Sequence, residues 1–382
     1  MRRLAAFDEL ASPAAWASLE TYLGVSIRRS MGDALRRLEY GIAELRAGAT
    51  PEGVHKFRQQ YTRVESVLDF FVDAINTRGS TPMAARLRTC DWLASESMAK
   101  TLTPLGVSKP PVLVYVDKGL GAAILKAGLR LWDGATDNPA AAIKVTLHNM
   151  SRPTALIHEA GHQVAHLLGW NKELASRLEE AAPSGHGGSW AAWASEIAAD
   201  AYAFVNTGYA SVVALADVID AGPEHVFMWE QSDPHPVAWI RVLLGTAMCR
   251  VSFGPGPWDA FEQRWAARYP LGEAPANVRR LLNDSRGALD KLASEILNRP
   301  YRAFGGSPLT AWIDPRQVSP TALLELERDA GAALYVSPYW ARQGLRIVAL
   351  TGYRVGVRPD AAAEMLTRQQ QWMEGAANAL KN

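Results

Sequence analysis

Cysteine is nearly absent from this chain, with Cys90 and Cys249 the two examples in 382 residues. Two distant cysteines, neither in a CxxC pair, exclude a disulfide framework and a cysteine-ligated structural zinc, and both read as buried free thiols. Long apolar runs are also lacking: no stretch reaches about 18 consecutive apolar residues, so no membrane-spanning helix is expected. The start, Met1-Arg2-Arg3, has the basic lead of a signal peptide, but Asp8 and Glu9 interrupt the apolar core that should follow. The expected location is cytoplasmic, with signal-independent export as the alternative. An excess of one charge is missing too. Forty basic against 39 acidic residues leave +1, so no global field marks a nucleic-acid binder. Neither GxSxG, a Walker loop nor GxGxxG occurs, which removes support for a serine elbow, a phosphate loop and a dinucleotide site. What remains is 48% hydrophobic and 21% charged, ordinary for a folded protein of two domains or of one large core with helical additions.

The patterning predicts an α+β, mostly helical protein. In 27–45, Met31, Ala34, Leu35, Leu38, Ile42 and Leu45 recur at helical spacing, and 54–76 repeats the pattern with Phe57, Tyr61, Val64, Val67, Leu68 and Phe71. The break at 48–51 makes these two helices an antiparallel hairpin. After Pro110-Pro111 the run 112–116 is a buried strand, followed by a helical stretch at 120–132, a second strand at 142–147 and a helix at 154–168. Strand, helix, strand, helix gives a small sheet with helices packed on it. A second long helix at 189–206 follows a glycine-rich loop, with Ser189 as its N-cap. Another helical stretch runs to 251, and Gly254-Pro255-Gly256-Pro257 is the clearest linker. The chain therefore divides into a helical region 1–108, a core 109–251 and a helical region 252–382. Scattered tryptophans such as Trp258, Trp265, Trp312 and Trp340 read as core.

His158-Glu159-Ala160-Gly161-His162 is an HExxH motif. On a helix, residues i and i+4 share a face about 5–6 Å apart, so both imidazoles reach one ion. Zinc suits imidazole, and a catalytic zinc takes three protein ligands with water in the fourth position. Glu159 then stands beside that water as its general base. On the next helix, Glu196 and Asp200 lie four residues apart on one face. Glu196 completes a His, His, Glu set of ligands, and Asp200 accepts the free ring N–H of a liganded histidine. Two acids on a solvent face would normally have lysine or arginine nearby, yet 190–206 contains neither. Buried acids without a basic neighbour call for a cation. His186, in a glycine-rich loop, is the rival third ligand. His166 continues the four-residue series but drifts round the helix, and reads as a packed or surface residue. His148, just past the second strand, is placed to line the cleft, and packing is the simpler reading for it. His55 and His225 have no context.

HExxH on one helix and ExxxD on the next resembles the gluzincin family of zinc peptidases, over roughly 110–251. The metzincin pattern fails, because no histidine follows Gly169 at the required distance. The resemblance implies a zincin-like core of a small mixed sheet, an active-site helix and a glutamate helix. It also implies an edge strand, here 142–147, that pairs with an extended peptide substrate, and a downstream transition-state stabiliser. Asp233-Pro234-His235-Pro236 followed by Arg241 resembles the HP-then-arginine arrangement of several bacterial members, which gives His235 that role and leaves Arg241 as a possible brace. The expected function is zinc-dependent hydrolysis of peptide bonds, with no nucleic-acid or membrane partner. The alternatives are a zinc amidase acting on a non-protein amide such as a peptidoglycan stem, and a zincin-fold scaffold without turnover.

Overall fold

Apolar residues at helical spacing give two long helices, α1 (Thr21–Gly48) and α2 (Pro51–Asn76), in a computed structural model that describes residues 7–119, 121–230, 233–337 and 342–379. The reversal between them is set locally. The Thr50 side chain accepts the Gly53 N–H, and Pro51 occupies the first turn of α2, where its missing donor costs nothing. Ile27, Met31, Ala34 and Leu38 meet Val64, Val67, Leu68 and Phe71 in a core of their own. Toward the turn the apolar face thins out, and Ile42, Leu45 and Phe57 are half-buried. A third helix, α3 (Thr81–Leu102), leads to the sheet.

The sheet has three strands, β1 (Val112–Val116), β2 (Ala123–Leu125) and β3 (Ala141–Val145), in the order β1-β3-β2. β3 runs parallel to β1 and antiparallel to β2, with Ile143 opposite both Val114 and Ile124. Two expectations are corrected here. The stretch 120–132 is not helical: it holds β2 and turns, and Gly121 and Gly128 adopt φ of +72° and +78°, outside the helical region. Leu120 lies outside the described residues. The strand expected at 142–147 ends at Val145 and is the central strand, not an edge. Its two sides are already paired, and the edges of the sheet are β1 and β2.

Alternation along the strands decides what each face covers. Val112, Val114, Ile143 and Val145 belong to the main core, while Leu113, Leu131 and Ala140 join the hairpin core, with Tyr115 and Leu125 packed against it. On the main-core side follow α4 (Thr154–Leu168), α5 (Trp170–Ala181), α6 (Ala194–Thr207), α7 (Tyr209–Ile219) and α8 (Ala238–Phe253). The remaining helices, from Pro257–Arg268 to Ala362–Ala379, complete it.

This one core runs from Leu87 of α3 to Ala376, so neither 108 nor 252 separates two cores. Residues 254–257 form a tight turn rather than a linker. The indole of Trp258 folds over Gly256, where an added Cβ would meet it at 2.4 Å, and donates to the Gly254 carbonyl at 3.0 Å. Trp265 is buried and Trp312 half-buried, whereas Trp340 lies outside the described residues. Cys90 and Cys249 are buried free thiols. Among the described residues no helix is long and apolar enough to cross a membrane.

Candidate metal centre and active site

Helix α4 buries Leu156, Ile157, Ala160 and Val164 and turns His158 and His162 toward α6. Gly169 ends it in the left-handed region, at φ +69°. The motif's glycine, Gly161, sits where α4 and α6 approach each other. A Cβ there would lie 2.8 Å from the Tyr202 Cβ and 3.0 Å from the Ala199 Cα, so only glycine permits the approach. That closeness brings Glu196 to both rings. His158 Nε2 lies 3.4 Å from Glu196 Oε2, and His162 Nε2 lies 3.2 Å from Glu196 Oε1.

The opposite ring nitrogens are also held. His158 Nδ1 is 2.8 Å from Asp200 Oδ1, as the four-residue spacing of Glu196 and Asp200 suggested. His162 Nδ1 is 3.4 Å from Ser195 Oγ, to which Asn171 Nδ2 donates at the same distance. Ser195 was missed by sequence reasoning, although its place directly before Glu196 was a usable signal. Among the described residues, His158, His162 and Glu196 form the group whose ligand atoms lie within 4.8 Å of one another.

The single helix expected over 189–206 is two. Gly187–Ala192 and α6 meet at Trp193, and the first piece starts at His186 with no side-chain cap. Ser189 lies inside that piece and caps nothing. The break follows from burial: Trp190 and Trp193 are both sunk in the core, and the Trp190 indole donates to Ser285 Oγ at 3.1 Å.

The acids are not without a basic neighbour. Arg241 of α8 donates to both Asp200 oxygens, Nε at 2.6 Å and Nη2 at 2.9 Å, and Nη2 reaches Glu196 Oε2 at 3.1 Å. Its separation of 41 and 45 residues from these acids hid it from any local count. Burial opposes charge on every member of this network, and pairing outweighs it. Hydrogen bonds from His158 and His162 and the charge of Arg241 hold Glu196 well below the usual carboxylate range. Arg241 and His158 do the same for Asp200, while the two acids raise Arg241 further and hold His158 up to about 10.

A cavity of about 580 Å³ opens onto this network, and its lining residues run from Gly121 to Met248. The described residues of the hairpin and of the chain beyond Met248 contribute none. Glu159 lines it and is 7% exposed. His235 lines it too, with Nδ1 2.6 Å from Asp233 Oδ1 and Nε2 3.5 Å from Glu196 Oε2. His186 is elsewhere: its Nε2 pairs with Asp284 Oδ2 at 2.8 Å, which removes it as third ligand. His148 lines the cavity, contrary to the packing reading. His166 is exposed, His55 bonds Gln59, and His225 lies beside Glu224. No protein-family model, curated protein or solved structure matches the chain.

Proposed function

We propose that this chain is a zinc-dependent hydrolase of peptide bonds, built on a zincin-like core with His158, His162 and Glu196 as ligands and Glu159 as base. One observation carries the reading. Four-coordinate zinc with bonds of about 2.0–2.1 Å sets neighbouring ligand atoms about 3.3–3.4 Å apart. The two histidine-to-Glu196 distances are 3.4 Å to Oε2 and 3.2 Å to Oε1, and one ligand atom from each of the three residues lies within 4.8 Å of the others, so a small closing of the group reaches that spacing.

Charge supports the same conclusion. Glu159, Glu196 and Asp200 outnumber Arg241, and with both imidazoles neutral, as ligands are, a divalent ion would balance the remainder; the raised pKa of His158 shows the same acids drawing a proton onto one ring. When bound, zinc supplies Lewis acidity to the substrate carbonyl and lowers the pKa of a water to about 7. Glu159 would accept a proton from the attacking water and pass it to the leaving nitrogen. Asp200 and Ser195 orient the rings, and Arg241 fixes Asp200 and Glu196. His235, held by Asp233, donates to the oxygen that gains charge as the carbonyl is attacked. The peptide lies beside β2, whose Ala123 and Ile124 line the cavity and whose backbone offers strand addition.

Metal analysis of protein purified without added zinc tests this directly. One zinc per chain is expected, lost in His158→Ala and His162→Ala, together with cleavage of peptides in a mixed library. Wild-type protein that holds no metal and gains no stability from zinc would sink the proposal.

A further inference from the structure

The carboxylates that line the cavity, Glu159, Glu196 and Asp200, all gather at the two histidines. Beyond the N-terminal end of α4 the lining changes to His148, Asn149 and Arg152. Every polar group that distinguishes this corner offers a donor. Asn149 is 4% exposed, and its amide nitrogen has no hydrogen-bond partner among the described residues. Arg152 is half-buried, its Nη1 forms an ion pair with Asp217 of α7, and its Nε is buried without a hydrogen-bond partner. Helix α4 begins there behind Pro153, with no side-chain cap and no acid in its first turn, and Thr154 and Ala155 line the same corner. Unpaired N–H groups at a helix start add partial positive charge.

We propose that this corner binds the free C-terminal carboxylate of a peptide, so that the enzyme trims a short fragment from a C-terminus; the inference rests on the hydrolase reading above. Spacing sets the fragment. Thr154, the first residue of α4, precedes His158 by four residues, about 6 Å along the helix at 1.5 Å per residue, and Arg152 lies two residues further out, beyond the helix. Extended peptide covers about 3.3–3.6 Å per residue, so two or three residues separate the carboxylate from the cleaved bond. The chemistry stays hydrolysis: the hydroxyl of water joins the acyl carbon, the C–N bond breaks, and the proton goes to the leaving nitrogen. The positive charge of Arg152 favours a carboxylate over a protonated amino terminus, which fixes the polarity of the bound chain.

Binding to the full-length chain carrying Glu159→Gln tests this without turnover. The probes are an acetylated alanine-rich pentapeptide as free acid, the same peptide as C-terminal amide, and an amide with one internal glutamate. The free acid is expected to bind about tenfold or more tightly than the plain amide, the size of a lost hydrogen bond to a charged group. Arg152→Ala should erase that preference and leave the affinity for the plain amide unchanged. Asp217→Asn, which keeps the guanidinium, should retain the preference and guards against a folding defect in the first variant. Equal binding of acid and amide overturns the proposal. Preference for the internal-glutamate amide over the free acid overturns it as well, by assigning the corner to an acidic side chain. A free-acid preference in protein that holds no zinc would keep the carboxylate corner and remove the hydrolase reading instead.

Discussion

Arg78 and Arg241 are the two buried arginines among the described residues, and their surroundings differ in charge. Arg78 follows α2, donates to Asp91 of α3 at 2.8 Å and to the Val114 carbonyl of β1 at 2.7 Å, and Asp91 accepts the Val114 N–H at 2.7 Å. Asp91 there meets Arg78, a strand and the charge of Arg88, and none of these three side chains lines the large cavity. Burial there raises the Asp91 pKa against the pull of Arg78. Around Arg241 the balance is reversed: two acids are held below their usual range beside a cavity, with a third close enough to act on the arginine's charge. A balanced pair ties helices to a sheet. A surplus of acid next to open space, with two imidazoles in reach, is an arrangement suited to a cation.

Four substitutions break or sharpen that contrast. The largest effect is expected for Glu159→Gln, which keeps shape and metal but removes the base. Its peptide-cleavage rate should fall about 10²–10⁴-fold at unchanged zinc content, and an unchanged rate would remove Glu159 from the mechanism. Asp91→Ala strikes the balanced pair and leaves a buried guanidinium alone. Urea unfolding should register a loss of about 3–5 kcal/mol, with zinc stoichiometry preserved in the folded protein; an unshifted midpoint would erase the distinction between the two networks. His235→Ala should bind zinc normally while kcat drops about 10²–10³-fold, and shedding of zinc by this variant would contradict its assigned role. The smallest effect belongs to Asp200→Asn. It weakens the hold on His158, and competition with a chelator should show zinc affinity about 10–100-fold lower rather than abolished.

The parts of the site that were legible in sequence are those with a helical period. His158 and His162, and then Glu196 and Asp200, are pairs four apart, and four is the spacing that shares a helix face. The hairpin was legible for the same reason, through the apolar periodicity of α1 and α2. What escaped depended on partners distant in sequence. Arg241 was named only as a possible brace near His235, and its pairing with the acids escaped because it comes from another helix, outside any window along 190–206. The resemblance made 142–147 an edge strand, and the partner that makes it central, β2, lay in a stretch read as helix. The 120–132 stretch carries helix-forming residues, but left-handed Gly121 and Gly128 and pairing with β3 override them. Trp193 breaks a helix that propensity alone would continue, because two indoles must reach the core. Gly161 was visible as a letter of the motif, but its reason, the Tyr202 Cβ on α6, was not.

The sheet that serves two cores has a practical consequence for anyone dividing this chain. Leu113, Leu131 and Ala140 are buried only so long as the α1–α2 hairpin lies over them. A shortened product starting after Asn76 would keep every residue that lines the cavity, yet it would leave one side of its strands bare to water. Exposed strand faces of this kind favour self-association. Such a fragment is expected to precipitate unless the hairpin is supplied as a separate piece, and co-expression of the two halves is the way to recover a usable part that carries the cavity.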